Sequence, residues 1–190
     1  MDISARIGRM RDYFDTGATR GYRFRREALL KLKDAIKRYE PQLLQALKSD
    51  LNKSEFDAYS TEIGLMLKEI GHTLGRLRSW MKPSKVRTPM THLGTQGKIY
   101  PEPYGVTLIV GPWNFPFQLA IAPLIGAIAA GNCAILKPSE LSPATSETMA
   151  RLLGEIFPPH YVDVVQGGVE TSQALLQEKF DYIFFTGSVS

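Results

Sequence analysis

From residue 106 onward the chain repeats one pattern: a short, continuously apolar run, a loop, and a segment long enough for a helix. The runs are residues 106–110 (VTLIV), 134–136 (AIL), 162–165 (VDVV) and 182–185 (YIFF), with helical stretches at 119–130, 144–157 and 171–178 between them. A strand with one wet face alternates polar and apolar residues; strands buried on both faces do not, and they belong to parallel sheets sandwiched by helices. The pattern therefore predicts an α/β fold with a Rossmann-like parallel sheet. In such sheets ligands bind beyond the carboxyl ends of the strands.

The first 80 or so residues are of another kind. Residues 22–39 carry Phe24, Ala28, Leu29, Leu32, Ala35 and Ile36 on one helical face. Pro41 suits the first turn of a second helix reaching Leu51, since the N–H it lacks would be unbonded there anyway. A third helix is expected over 58–81, with Ile63, Leu67, Ile70, Leu74 and Leu77 on one side and Pro83 ending it. Residues 83–103 (PSKVRTPMTHLGTQGKIYPEP) are rich in Pro, Gly and Thr and read as an extended arm or hairpin. The expected organisation is a helical layer over 1–86, a β arm over 87–103, and the start of an α/β domain over 104–190. A strand of buried type followed by Thr186-Gly187-Ser188 opens onto a helix N-terminus, and no helix follows. That would leave a sheet face and edge bare, so the expectation is an incomplete sheet in a piece of a longer protein.

Composition excludes several classes. A 44% hydrophobic content supports a sizeable core. The longest apolar stretch, residues 119–130, is too short to span a membrane and contains Pro123 and Gly126. The N-terminus lacks an apolar signal region, and Cys133 is the sole cysteine, which fits a cytoplasmic protein without disulfides. Residues 1–98 hold 20 Lys+Arg against 11 Asp+Glu (+9), whereas residues 99–190 hold 3 against 8 (−5). The basic residues are mixed with acids along amphipathic helices, the pattern of a solvated face, and no nucleic-acid signature accompanies them. His72, His92 and His160 show no metal-ligand spacing, so no metal site is expected. Cys133 opens an apolar strand with no His or Lys beside it and reads as a small buried hydrophobe, not a nucleophile.

Two segments carry the candidate chemistry. In Gly111-Pro112-Trp113-Asn114-Phe115-Pro116-Phe117, two prolines stiffen a loop around a lone amide. Alone, Asn114 fits a turn residue bonding its own backbone. Just past a strand's carboxyl end, it also fits a fixed donor to an oxygen that gains negative charge. In the segment 131–140 (GNCAILKPSE), Lys137 and Glu140 follow the next strand. They fit two readings equally: surface charges with a helix cap at Ser139–Glu140, or a pair that bonds sugar hydroxyls. Gly187 and Ser188 could present backbone N–H groups to a pyrophosphate. Gly167-Gly168 fits a turn or a close approach to an adenine.

Together GPWNFP, GNCAILKPSE and FTGS, in this order and spacing, resemble the aldehyde dehydrogenase superfamily. The N-terminal IGRMRDYFDTGATRGYRFRREALLKLKDAI, with TEIGLMLKEI and QGGVET, is similar to its class 3, fatty-aldehyde-dehydrogenase-like branch, near which bacterial relatives of coniferyl aldehyde dehydrogenase lie. The resemblance implies NAD(P)+-dependent oxidation of an aldehyde, medium- or long-chain or aromatic, to a carboxylic acid. It implies an oxyanion-hole role for Asn114 and ribose contacts for Lys137 and Glu140. It places Val110, Pro112 and Trp113 along the cofactor cleft, Gly187 and Ser188 at the pyrophosphate, Gly167 near the adenine, and Phe185 beside the site. NAD+ is the first choice of cofactor, because Glu140 should repel a 2′-phosphate; NADP+ stays open through Lys137. The arm implies subunit association, as a homodimer in the full-length enzyme. Family members are more than twice this length, and their nucleophilic cysteine and general-base glutamate lie beyond the segment matching Ser190. The 190 residues alone are therefore expected to be inactive. A non-catalytic nucleotide-binding or assembly module, a basic nucleic-acid binder and a CoA-acylating aldehyde dehydrogenase are the competing readings.

Overall fold

The computed structural model describes residues 2–92 and 94–187. The N-terminal half is helical. Helix α1 (Ile3–Asp15) is capped by Asp2, whose carboxylate accepts from the Ala5 N–H, and it buries Ile7, Met10 and Phe14. Helices α2 (Tyr22–Arg38) and α3 (Glu40–Leu51, with Pro41 in its first turn) follow. Then α4 (Glu55–Ala58) passes through a π turn (Tyr59–Ile63) into α5 (Gly64–Trp80). The single helix expected over 58–81 is thus interrupted in register near its start. Strands β1 (Ser84–Val86) and β2 (Gly97–Ile99) pair antiparallel, so the arm is a hairpin.

The α/β half runs β3 (Val106–Val110), α6 (Gln118–Ala130), β4 (Cys133–Lys137), α7 (Pro143–Ile156), β5 (Val162–Val164), α8 (Val169–Leu176) and β6 (Tyr182–Phe185). All pairings are parallel, in the order β5-β4-β3-β6. Helix α6 packs on β3 and β4, α7 on β5, and α1 also rests on β3 and β4; α8 returns the chain past β3 to β6. Helix α2 packs on α6 and α7, α5 on α6 and α3 on α7, adding a second helical layer. One hydrophobic core runs through both halves, from Met10, Leu32 and Ile70 to Leu108, Ile128 and Leu152.

Opposite charges join the halves. Arg6 pairs with Asp163, Arg11 with Asp181 and Arg38 with Glu155. The basic N-terminal residues are therefore not simply a solvated face. Arg25, expected among them, is buried, and burial lowers its pKa. Its guanidinium donates to the carbonyls of Thr19 and Ala129 and lies across Gly131, which caps α6 in the left-handed region at φ 88°.

The expectation of a sheet covered on both faces holds for β3 and β4, nearly all of whose residues are buried. At β6 all four residues are exposed, as the expectation of an incomplete sheet with a bare face and edge requires. Among the described residues, only β3 borders this strand within the sheet, and Tyr104 stacks on Tyr182 with ring centroids 5.2 Å apart.

A Cβ at Gly131 would lie 2.7 Å from the Arg25 guanidinium, besides adopting an unfavourable positive φ. Gly131→Ala should therefore destabilise the chain by about 2–4 kcal/mol in urea denaturation. Gly126 sits in α6 with open space at its Cβ position. Gly126→Ala should be neutral or stabilise by up to about 1 kcal/mol through helix propensity.

Candidate active-site wall

The register of the sheet brings three loops together. Val110 lies beside Lys137 on one side and Phe185 on the other, so β3, β4 and β6 end level. Two further hydrogen bonds continue the ladder past the strand ends: Gly111 N–H donates to the Lys137 carbonyl (3.0 Å), and Thr186 N–H to the Val110 carbonyl (3.1 Å). Successive strands run from β3 to β4 to β5, and β6 then falls on the far side of β3. This reversal is the topological switch point where open α/β sheets bind ligands. A cleft of about 710 Å³ opens there.

Most of the residues singled out in the sequence line it: Val110, Pro112, Trp113, Asn114, Lys137, Glu140, Phe185 and Gly187. Ser188 lies outside the described residues. Gly167 does not line the cleft; it sits at φ 150° in the turn into α8, where a Cβ would strike the Thr171 hydroxyl. Its need for glycine is met by that local packing. The cleft also takes in Gly111, Ser139 and Thr186, which lie in the three motifs but were given no ligand role, and Leu119 and Ser172, which lie outside them. Ser139 and Thr186 sit beside Glu140 and Gly187 within those motifs, so the sequence could have suggested them. It could not have suggested Ser172, because only the crossover from β5 brings the start of α8 to the cleft.

Asn114 is exposed in the loop between β3 and α6, and among the described residues its carboxamide makes no hydrogen bond. The turn-asparagine reading, which needs a bond to its own backbone, does not describe it. Gly111 lets that loop rest against α6: a Cβ there would come within 3.2 Å of the Ala120 Cβ.

The two readings of Lys137 and Glu140 also separate. Lys137 is buried, so the two are not a pair of surface charges. Its ammonium donates to Glu140 at 2.7 Å, while Glu140 keeps 40% of its side chain exposed. That hydrogen bond, helped by one from the residue's own backbone N–H, holds the Glu140 carboxyl below the usual range. Nor does Glu140 cap α7, because Asp50 reaches from α3 to accept from the Ala144 and Thr145 N–H groups. A buried cation thus presents a half-exposed carboxylate to the cleft.

The aldehyde dehydrogenase family profile matches residues 1–190. This chain belongs to the aldehyde dehydrogenase family. It is 49% identical to 4,4'-diaponeurosporen-aldehyde dehydrogenase of Staphylococcus aureus, covering 93% of this chain and 38% of that protein. It is 42% identical to aldehyde dehydrogenase family 3 member H1 of Arabidopsis thaliana, covering 98% of this chain and 39% of that protein. The substrate-bound structure of Staphylococcus aureus AldH superposes with a TM-score of 0.97 at 46% identity, over 99% of this chain and 41% of the other. PnpE, solved in complex with nicotinamide adenine dinucleotide, superposes with a TM-score of 0.81 at 25% identity, over 96% of this chain and 37% of the other. The chain therefore spans about two-fifths of the length of these relatives and corresponds to the N-terminal portion of class 3 members.

Cys133 lies in β4, fully buried, and burial pushes its thiol up to about 12. At pH 8 about one thiol in ten thousand would be ionised. A disulfide reagent such as DTNB should leave the folded chain unmodified at pH 8 and react with one thiol on unfolding in urea. Prompt stoichiometric reaction without urea would contradict this.

Proposed function

We propose that this chain forms the cofactor- and oxyanion-binding wall of an NAD+-dependent aldehyde dehydrogenase acting on medium- or long-chain aliphatic or aromatic aldehydes. The observation that carries the reading is the single cleft at the switch point, which gathers Asn114, the Lys137–Glu140 pair and Gly187 at three aligned strand ends.

The cleft suits a dinucleotide on chemical grounds. Glu140 offers a carboxylate that accepts hydrogen bonds from a ribose diol, and Lys137 fixes that carboxylate from beneath. Gly187 presents backbone without a side chain, packed so closely on the Phe185 ring that a Cβ would come within 2.6 Å of it. Bound NAD+ would supply the hydride acceptor. The chain's own residues bind and orient. Asn114 would donate its side-chain N–H to the aldehyde oxygen as that oxygen becomes negative; loss of one such donor costs about 10²–10³ in kcat.

NAD+ is favoured over NADP+, because the Lys137 ammonium is engaged by Glu140 and the exposed partner is the carboxylate. A 2′-phosphate would meet negative charge first. Cys133 is buried in β4 and does not line the cleft, so the 190 residues supply no nucleophile there, and the isolated chain binds cofactor weakly and does not turn over. Association of full-length subunits would use the exposed β1–β2 hairpin.

Saturation-transfer NMR with millimolar NAD+ should show contact to the ribose protons. Glu140→Ala should weaken it about tenfold, the loss of one charge-assisted hydrogen bond. NADP+ should bind more weakly than NAD+. Absence of ribose contact, or steady NADH formation from an aldehyde by the isolated chain, would overturn the reading.

A further inference from the structure

The structure assigns Glu62, with Lys53 as its counter-ion, as the positioning residue that holds the Asn114 loop; the functional meaning of that hold rests on the oxyanion role proposed for Asn114. The loop from Gly111 to Phe117 is fixed at its start by the Gly111 N–H to Lys137 carbonyl bond. Its far end runs into α6, whose N-cap position, Phe117, has no side-chain cap of its own. The first N–H groups of a helix need acceptors. Here the acceptor comes from 55 residues away: the Glu62 carboxylate takes hydrogen bonds from the N–H of Phe117 (2.9 Å) and of Gln118 (3.3 Å).

Glu62 is fully buried, and a buried carboxylate is costly without a partner. Lys53, almost as buried, donates to its other oxygen. The same ammonium lies 4.0 Å from the centroid of the Phe115 ring, the residue next to Asn114. One ion pair therefore grips the loop twice, at the Phe115 ring and at the Phe117 and Gln118 amides. The positive end of α6 favours a carboxylate at this place.

The π turn makes the reach possible. It carries Glu62 inward together with Ile63, while Ala58 is buried and Tyr59 is turned outward. Gly64 permits the turn, since a Cβ there would lie 3.0 Å from the Tyr59 carbonyl oxygen. A buried ion pair is weak evidence for stability, because an apolar pair of similar volume often does as well. What an apolar pair lacks is an acceptor for two amides at the foot of the loop.

The test uses the native chain without cofactor or aldehyde, so its outcome is independent of whether the cleft takes a dinucleotide. Amide exchange and side-chain ¹⁵N relaxation would be compared in native, Glu62→Met and Lys53→Arg chains and in the charge-free double variant Glu62→Met/Lys53→Met, the methionine side chain having no oxygen to accept from the two amides. The Phe117 and Gln118 amides of Glu62→Met should exchange at least about tenfold faster. The Asn114 side-chain amide should become more mobile, with β3, β4 and α7 unchanged. Lys53→Arg, which keeps the charge and the ring contact, should stay native-like. The double variant removes the unbalanced charge and keeps the fold, yet its loop should stay loose. Native order of Asn114 in the folded double variant would overturn the assignment, because the pair would then matter only for charge balance.

Discussion

The parallel ladder between β3 and β4 is the constraint on which the other parts depend. Its register pairs Val106 with Cys133 and Val110 with Lys137. It therefore sets where the Asn114 loop leaves one strand relative to where Lys137 ends the next. β6 takes its position from the same strand, β3, through Val110 and Phe185. A slip of one residue would invert every side chain in β4, exposing Lys137 to the core and Leu136 to its present surroundings. Burial of β4 along its whole length makes that slip expensive, so core packing and site geometry are one requirement.

The ladder does not by itself hold the loops. Each is tied by contacts from a different layer. Asp50 in α3 caps α7 and thereby fixes the end of the Lys137–Glu140 segment. Glu62, between α4 and α5, caps α6 and fixes the end of the Asn114 loop. Two of the three crossover helices, α6 and α7, are capped from the N-terminal layer by acceptors distant in sequence. The helices at residues 3–80 are therefore more than a cover for the sheet's apolar helices: they supply acceptors the α/β half lacks.

Much of this was legible in the sequence, for physical reasons. Continuous apolar runs mark buried parallel strands, and β3 and β6 fall at the residues their runs predict, while β4 extends one residue further at each end, to Cys133 and Lys137. The proline at residue 41 marks the start of α3 equally well. What could not be read are matters of depth and distance. Nothing local says that Lys137 is buried while Glu140 is not, since both sit in the same short polar segment. The π turn breaks the 3.6-residue spacing from which the third helix was inferred, and a single extra residue per turn leaves no distinct composition. Arg25 read as a solvated charge because helical periodicity reports which face is apolar; it does not report which carbonyl lies across from it.

The cleft's electrostatics follow from the same difference in depth. Had Lys137 reached solvent, the pair would present a cation and an anion side by side to the cleft. Because Lys137 is buried at the end of β4, its charge is used within the pair, and the carboxylate faces outward. The hydrogen bond from Lys137 also keeps Glu140 ionised well below neutral pH, so an acceptor is present throughout the physiological range. The strand register thus sets the polarity of the site: it decides which member of the pair a ligand meets.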